Sequence, residues 1–109
     1  AVETRPQGTA ALQAPAVLQP MRPNPARPAT EVTFELAGPA EVSLDLFDIA
    51  GRKVRVLAAG RYPAGAHAMV WNGTGGDGLQ VPAGIYYCRL EARADGVAHE
   101  ETRTLLVTR

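Results

Sequence analysis

The chain has 109 residues, a length that suits one domain and leaves no room for a second hydrophobic core. Its eleven basic and eleven acidic side chains balance, so no charge footprint points to nucleic acid or to an anionic membrane surface. The eleven glycines and nine prolines favour a fold rich in turns and strands over a helix bundle.

The cysteine content and the hydropathy pattern bear on the cellular location. A single cysteine, Cys88, excludes an internal disulfide, so packing alone must hold the fold. No apolar run approaches the roughly 20 residues that cross a bilayer, and we expect no membrane span. The chain opens with Ala1 instead of Met, which we interpret as the sign of a removed signal peptide. We therefore expect a secreted or cell-surface protein.

Residues 1–22, the N-terminal tail, end in a proline-rich stretch. Small and apolar side chains occupy its even positions from 10 to 18, the pattern of an added edge strand, and Pro15 is compatible with an edge where its missing N–H faces away from the partner. The alternative is a disordered linker rich in alanine, proline and glutamine. As partner-binding residues of a donor or docking strand we predict Leu12, Ala14, Ala16, Val17 and Leu18.

From residue 30 onward, apolar residues recur with period two in short segments, which predicts strands. Turn signals separate them, including Gly38-Pro39, a loop at 60–65, the run "NGTGGDG" at 72–78 and the hairpin signal Asp95-Gly96. We predict six strands and allow a seventh. No stretch has sustained helical spacing, so the expected fold is an all-β antiparallel sandwich. The predicted core residues are Phe34, Leu44, Leu46, Trp71, Tyr86 and Leu90.

Five segments also carry a family resemblance. They are "PNPARPATEVTFEL" (23–36), "VSLDLFDIAGRKVRVL" (42–57), "PAGAHAMVWNG" (63–73), "VPAGIYYCRL" (81–90) and "RTLLVTR" (103–109). In this order they resemble bacterial Ig-like modules, among them the Ig-like domain of the flagellar hook-capping protein and the C-terminal sorting domains of type IX secretion cargo. The resemblance implies an Ig-like sandwich over residues 23–109 with no active site and a structural, assembly or export role.

The side chains that could carry chemistry are scattered. Ser43 lies mid-strand with no nucleophile elbow around it. His67 shares a strand face with apolar residues, and its spacing to His99, Asp48 or Asp77 does not match a metal site. We expect no catalytic residue, no metal and no cofactor.

Two further residues have a structural interpretation. Asn72 begins an N-glycosylation pattern, but Asn72-Gly73 is better explained as a turn. Cys88 alternates with Tyr86 and Leu90 on one face of a strand, which predicts a buried and inert thiol.

Three hypotheses about function remain. The first is a non-catalytic extracellular module that binds copies of itself head to tail, through the N-terminal tail, and forms a fibre or appendage. The second is a sorting or attachment domain that a secretion system or cell-surface partner recognises. The third is a carbohydrate-binding sandwich that uses exposed coplanar aromatic rings from Tyr62, Tyr86 or Tyr87.

Overall fold

The computed structural model describes residues 15–27 and 29–108. These residues form seven strands and no helix, so no helix among them could cross a membrane. The strands are β1 (Ala16–Leu18), β2 (Thr30–Leu36), β3 (Ala40–Asp48), β4 (Lys53–Tyr62), β5 (Gly65–Trp71), β6 (Gly84–Ala94) and β7 (Val97–Val107). Two antiparallel sheets, in the orders β1-β2-β5 and β4-β3-β6-β7, form a sandwich. The predicted all-β sandwich is confirmed.

The alternation in the sequence sets which side chains point inward. In β2, Val32, Phe34 and Leu36 are buried, whereas Glu31 and Glu35 are exposed. Because side chains in a strand point to opposite faces in turn, one face of each sheet is apolar and packs on the other sheet.

The core lies between the two sheets. The polar groups of its large aromatic residues find partners: Trp71 donates from Nε1 to the carbonyl of Thr74 at 2.8 Å, and Tyr86 donates its hydroxyl to the carbonyl of Pro82 at 2.6 Å. Buried polar groups need such partners to avoid a desolvation cost. The side chains at the centre include all six predicted above: Phe34, Leu44, Leu46, Trp71, Tyr86 and Leu90.

One predicted loop is wrong. The sequence suggests a loop from Gly60, but β4 continues to Tyr62. The reason is pairing with the start of β3, where Ala40 lies opposite Tyr62 and Val42 opposite Gly60. The long-range ladder therefore keeps the strand extended across a glycine that would weaken it locally.

Candidate binding surfaces

The N-terminal tail contributes the first strand of the sandwich, and this strand pairs within its own chain. β1 pairs antiparallel with β2, with Ala16 opposite Leu36 and Leu18 opposite Phe34. The side chains of Ala16 and Leu18 are fully buried, while Val17 is half-buried. The alternation at 16–18 thus gives an edge strand, and the strand it meets belongs to the same sheet and the same chain.

The β7 side chains hold β1 from its other side. The backbone N–H of Leu18 donates to the Glu101 carboxylate at 2.7 Å, and Arg103 Nε donates to the carbonyl of Leu18. Both outward backbone groups of Leu18 are therefore satisfied by side chains of the second sheet.

After the tail, residues 24–26 cross to the second sheet. Ala26 donates its N–H to the carbonyl of Leu106 at 2.8 Å and accepts from the N–H of Thr108 at 2.9 Å, forming a parallel bridge to the end of β7. Asn24 brackets the same strand, since its side chain donates to the carbonyl of Thr104 and accepts from the N–H of Leu106. We call residues 15–27 the sealing segment, because it bonds to the edges of both sheets.

This placement differs from the domain boundary predicted between residues 22 and 23. Residues 15–22 contribute a strand and buried side chains, so the described part of the tail is built into the sandwich. The pattern alone could not show this, because the Glu101 and Arg103 side chains that bond to the outer side of Leu18 lie more than 80 residues away in sequence. Of the predicted tail anchors, Leu12 and Ala14 lie outside the described residues.

The opposite side of the sandwich is formed by β4 and β5, which are outer strands of their sheets. The two sheets meet there through three rings: Phe34 and Tyr62 at 5.5 Å, Tyr62 and His67 at 5.1 Å, and Phe34 and His67 at 5.2 Å between centroids. His67 Nε2 also lies 2.8 Å from the carbonyl of Pro63. Side-chain contacts, without a backbone ladder between β4 and β5, close this side in the described structure.

The outer edge of β4 is protected. It carries Lys53, Arg55 and Arg61, and its pairing with β3 has two register shifts. The loop after β5 also crosses it, since the carbonyl of Val54 accepts from Gly76 N–H at 2.9 Å. Charges, bulges and loop cover are the usual means by which a sheet edge avoids adding another strand.

The outer edge of β5 has none of these features. Its sequence "GAHAMVW" contains no Lys, Arg, Asp, Glu or Pro, and its pairing with β2 runs from Gly65 to Trp71 without a register shift. The side chains of Ala66, Ala68 and Val70 are exposed. The absence of charge over these seven residues is the signal for an unprotected edge that the sequence contains.

The hydrogen bonds of β2 show which backbone groups of β5 face outward. Glu31 bonds through both its N–H and its carbonyl to Arg22, so the backbone N–H and carbonyl groups of odd-numbered β2 residues point toward the sealing segment. Backbone direction alternates along an antiparallel strand, so the even-numbered residues point toward β5 and bond to the residues opposite them. The N–H and carbonyl groups left facing out of the sheet are those of Ala66, Ala68 and Val70.

The residues considered for catalysis or metal binding lie apart from one another. Ser43 donates to Asp45 at 2.8 Å, and within residues 15–27 and 29–108 neither side chain bonds to a histidine. His99 lies 3.5 Å from Glu101, on the other side of the molecule from the His67 ring cluster. Within 15–27 and 29–108, no three residues among His, Cys, Asp and Glu are grouped closely enough to hold a metal ion.

The three tyrosines do not form a binding platform. Tyr86 is buried, Tyr62 packs in the ring cluster, and Tyr87 lies opposite Phe47 on the outer face of the larger sheet. The Phe47 ring is covered in part by the Arg89 guanidinium, 4.6 Å from its centroid. A coplanar set of exposed rings, which sugar binding would need, is not formed by these residues.

Comparison with known proteins identifies the family. The model of the FlgD Ig-like domain matches residues 24–96, which is more than half of the chain. The chain belongs to the FlgD Ig-like domain family. This confirms the resemblance inferred from the five sequence segments, and the family is structural, not catalytic.

Curated relatives in this family are longer proteins. The basal-body rod modification protein FlgD of Salmonella typhimurium is 40% identical over 68 residues, which cover 62% of this chain and 29% of that protein. FlgD of Salmonella typhi matches with the same values. The chain thus spans about 29% of the length of these curated relatives.

Solved structures share the fold. FlgD from P. aeruginosa has a TM-score of 0.60 at 18% identity, over 85% of this chain and 69% of that one. FlgD from Xanthomonas campestris, whose hook capping is essential for flagellar assembly, has a TM-score of 0.59 at 19% identity, over 90% and 73%. Dimeric latent PorU from Porphyromonas gingivalis has a TM-score of 0.70 at 20% identity, over 86% of this chain and 9% of PorU. At these identities the likeness shows the fold alone.

Proposed function

We propose that the chain is a non-catalytic structural module of an extracellular or cell-surface assembly, and that its N-terminal tail joins copies of it head to tail into a fibre or appendage. Membership of the FlgD Ig-like domain family supports the structural role. The 40% identical relative from Salmonella typhimurium, a basal-body rod modification protein, supports a role in building an appendage.

The observation that carries self-assembly is the way the tail binds a sheet. β1 pairs with β2 through its backbone and buries two side chains, Ala16 and Leu18, in the sandwich core. The tail therefore holds residues that act as an added strand, which is the mode by which one sandwich captures an extended segment of another. Residues 1–14 precede the sealing segment, and at about 3.3 Å per extended residue they reach about 46 Å, enough to contact a neighbouring copy.

The test is a comparison of the full chain with two variants that keep the sealing segment. One variant lacks residues 1–14, and the other carries Leu12→Asp in the full chain. Truncation must stop at residue 14, because removal of Ala16 and Leu18 would open the core. Sedimentation velocity and negative-stain microscopy should show large head-to-tail species for the full chain and monomers for both variants, with unchanged circular dichroism. A full chain that stays monomeric, or variants that still polymerise, would overturn the proposal.

The second candidate function is a sorting or attachment domain, which the likeness to a small part of PorU favours. Deleting the last six residues is a poor test, because Leu105 and Val107 are buried in β7. A better variant is Leu106→Glu, since this side chain is 41% exposed. If the chain is a sorting domain, this folded variant should lose delivery to the cell surface, whereas normal delivery would count against sorting by this face.

A further inference from the structure

The sheet edges of this sandwich are not protected equally. The sealing segment bonds to the edges of β2 and β7, and charges, bulges and a loop protect β4. β5 is left with the outward N–H and carbonyl groups of Ala66, Ala68 and Val70, and in the described structure no strand pairs with this edge. A row of unpaired backbone groups on a flat, uncharged edge is a template for another strand.

The open edge also borders incompletely covered core residues. The partly buried hydrophobic residues packed against the core are Val54, Leu57, Tyr62, Met69 and Ala94, and the first four lie on β4 or β5. A strand added to β5 would extend the smaller sheet over the seam between the two strands. Its inward side chains would then remove apolar surface of Tyr62 and Met69 from water.

We propose that the outer edge of β5 is the acceptor for residues 9–14 of a second copy of this chain. The inference rests on the proposed function, because it names the surface on which the assembling tail of a neighbouring copy binds. Backbone hydrogen bonds to Ala66, Ala68 and Val70 supply affinity, and alternate side chains of the added strand set the register.

The composition of the tail supports this occupant. Residues 6–21 contain no charged side chain, which matches the uncharged edge of β5. Ala10, Leu12 and Ala14 alternate with Thr9, Ala11 and Gln13, so one face of the segment is apolar. With that face inward, Leu12 would lie on the side of the added strand that faces the seam, and Gln13 on the side that faces water.

The continuity of the sheet supports it as well. Residues 16–18 occupy one edge of the β1-β2-β5 sheet, so residues 9–14 of the next copy would occupy the other edge of that same sheet. The donor and acceptor surfaces lie on different strands, and repetition of this contact adds copies without closing a pair.

The direct test changes the acceptor without changing the donor. Ala68→Pro removes an N–H that points out of the sheet, so the ladder to β2 is kept and added pairing is blocked. Val70→Lys is a second variant, which places a charge on the edge and leaves every backbone group in place. Both should lose the large species in sedimentation velocity and retain the circular dichroism of the parent chain.

A matched control places proline on the other outer strand. The Asp48 N–H donates to the carbonyl of Arg52 across the β3–β4 turn, so the backbone N–H and carbonyl groups of even-numbered β3 residues point toward β4. Ala59 lies opposite the odd-numbered Ser43, so its own backbone groups point away from β3. Ala59→Pro therefore makes the same chemical change on the β4 edge. It should assemble like the parent chain.

A mixing experiment then asks whether two copies supply the two halves of one contact. Leu12→Asp damages the donor and keeps the acceptor, whereas Ala68→Pro keeps the donor and damages the acceptor. Each variant alone should be monomeric, and an equimolar mixture should form one-to-one dimers and nothing larger. Samples of Leu12→Asp alone and of Ala68→Pro alone, at the total protein concentration of the mixture, provide the monomer reference.

The outcomes separate this inference from the function on which it rests. A parent chain that is monomeric overturns both. A second outcome is that the parent chain assembles, Leu12→Asp is monomeric, and both Ala68→Pro and Val70→Lys still assemble. In that case self-assembly through the tail stands and the β5 acceptor is wrong.

Amide exchange tests the occupant of the edge. Slow exchange at Ala66, Ala68 and Val70 that does not depend on protein concentration would show pairing within one chain, and it would overturn a second copy as the occupant. Slowing that appears only on assembly supports the proposal.

Discussion

The two long sides of the sandwich are closed in different ways. On the sealed side, residues 15–27 bond through their backbone to β2 and to β7, and β1 adds two fully buried side chains to the core. On the open side, β4 and β5 meet through the rings of Phe34, Tyr62 and His67 and keep several apolar residues only partly covered. Backbone bonds make the sealed side part of the fold, whereas in the described structure side-chain contacts alone close the open side.

The largest effect is expected when a buried side chain is removed from the sealed side. Leu18→Ala deletes a fully buried group from β1, and a buried leucine replaced by alanine costs about 2–5 kcal/mol through lost transfer free energy and a residual cavity. We expect a loss of about 3 kcal/mol in the free energy of unfolding, measured by urea denaturation.

The neighbouring Val17→Ala is the control for this change, because Val17 is half-buried on the same strand. It should cost clearly less than Leu18→Ala. Equal and small losses for the two variants would mean that the tail is an appendage, and the sealed side would not be part of the fold.

Cys88 reports on how often the sandwich opens. Its thiol is fully buried, and burial together with the nearby charge of Asp45 raises its pKa to about 12. At about pH 8 the folded thiol is protonated and shielded, whereas an unfolded cysteine has a pKa near 8.5, so labelling requires opening. We expect Leu18→Ala to speed the reaction with a thiol reagent by about tenfold for each 1.4 kcal/mol of lost stability, because the open population depends exponentially on the free energy of opening. Ala68→Pro, on the open edge, should leave the rate close to that of the parent chain. A large increase would show that the outer edge of β5 contributes to the stability of the fold.

A smaller effect is expected on the open side. Met69 is only partly buried on β5, so Met69→Ala removes less covered surface than Leu18→Ala does. We expect a loss of about 1 kcal/mol in the monomer, again from urea denaturation. If assembly covers this seam, the same variant should weaken association as well, whereas Leu18→Ala should act mainly on folding. A Met69→Ala cost as large as that of Leu18→Ala would remove the difference between the two sides.

The sequence predicted the strands better than it predicted the edges, and the physical reason is distance along the chain. Alternation at 32–36 or at 85–93 is local, so it can be seen without knowing what the strand pairs with. The backbone N–H of Leu18 donates to Glu101, 83 positions away, and no local pattern contains that contact. Which strand becomes an edge is likewise a property of sheet order. The residues of β5 show that the strand is uncharged, but they do not show that its outer edge is left without a neighbouring strand. Tyr86 shows the converse, since alternation placed it in the core even though an aromatic residue with a hydroxyl also suited a binding surface.

The smallest expected effect concerns the turn that leads into β4. The N–H of Arg52 donates to the Asp48 carboxylate and lowers its pKa below the usual value; the Arg52 side chain at 3.0 Å and the N–H of Ala50 act in the same direction. Because the pKa of Asp48 is lower in the folded chain than in the unfolded chain, this carboxylate stabilises the fold above its unfolded pKa near 3.8, and the stabilisation is lost as the pH falls through the folded value. Asp48→Asn should therefore lower the urea midpoint at neutral pH, and the difference from the parent chain should shrink in strong acid.

Arg52→Ala separates the two sources of this effect. It removes the ion pair but keeps the backbone donors from Ala50 and Arg52, so part of the pH dependence should remain. The midpoint change should also be smaller than that of Asp48→Asn, since an exposed ion pair contributes little to stability. An Asp48→Asn difference that stayed constant into strong acid would show that the carboxylate's charge is not what organises the turn. In that case the order of β4 would have to come from its ladder with β3 and from the loop bond between Gly76 and Val54, which would make this outer strand less dependent on its turn than the geometry indicates.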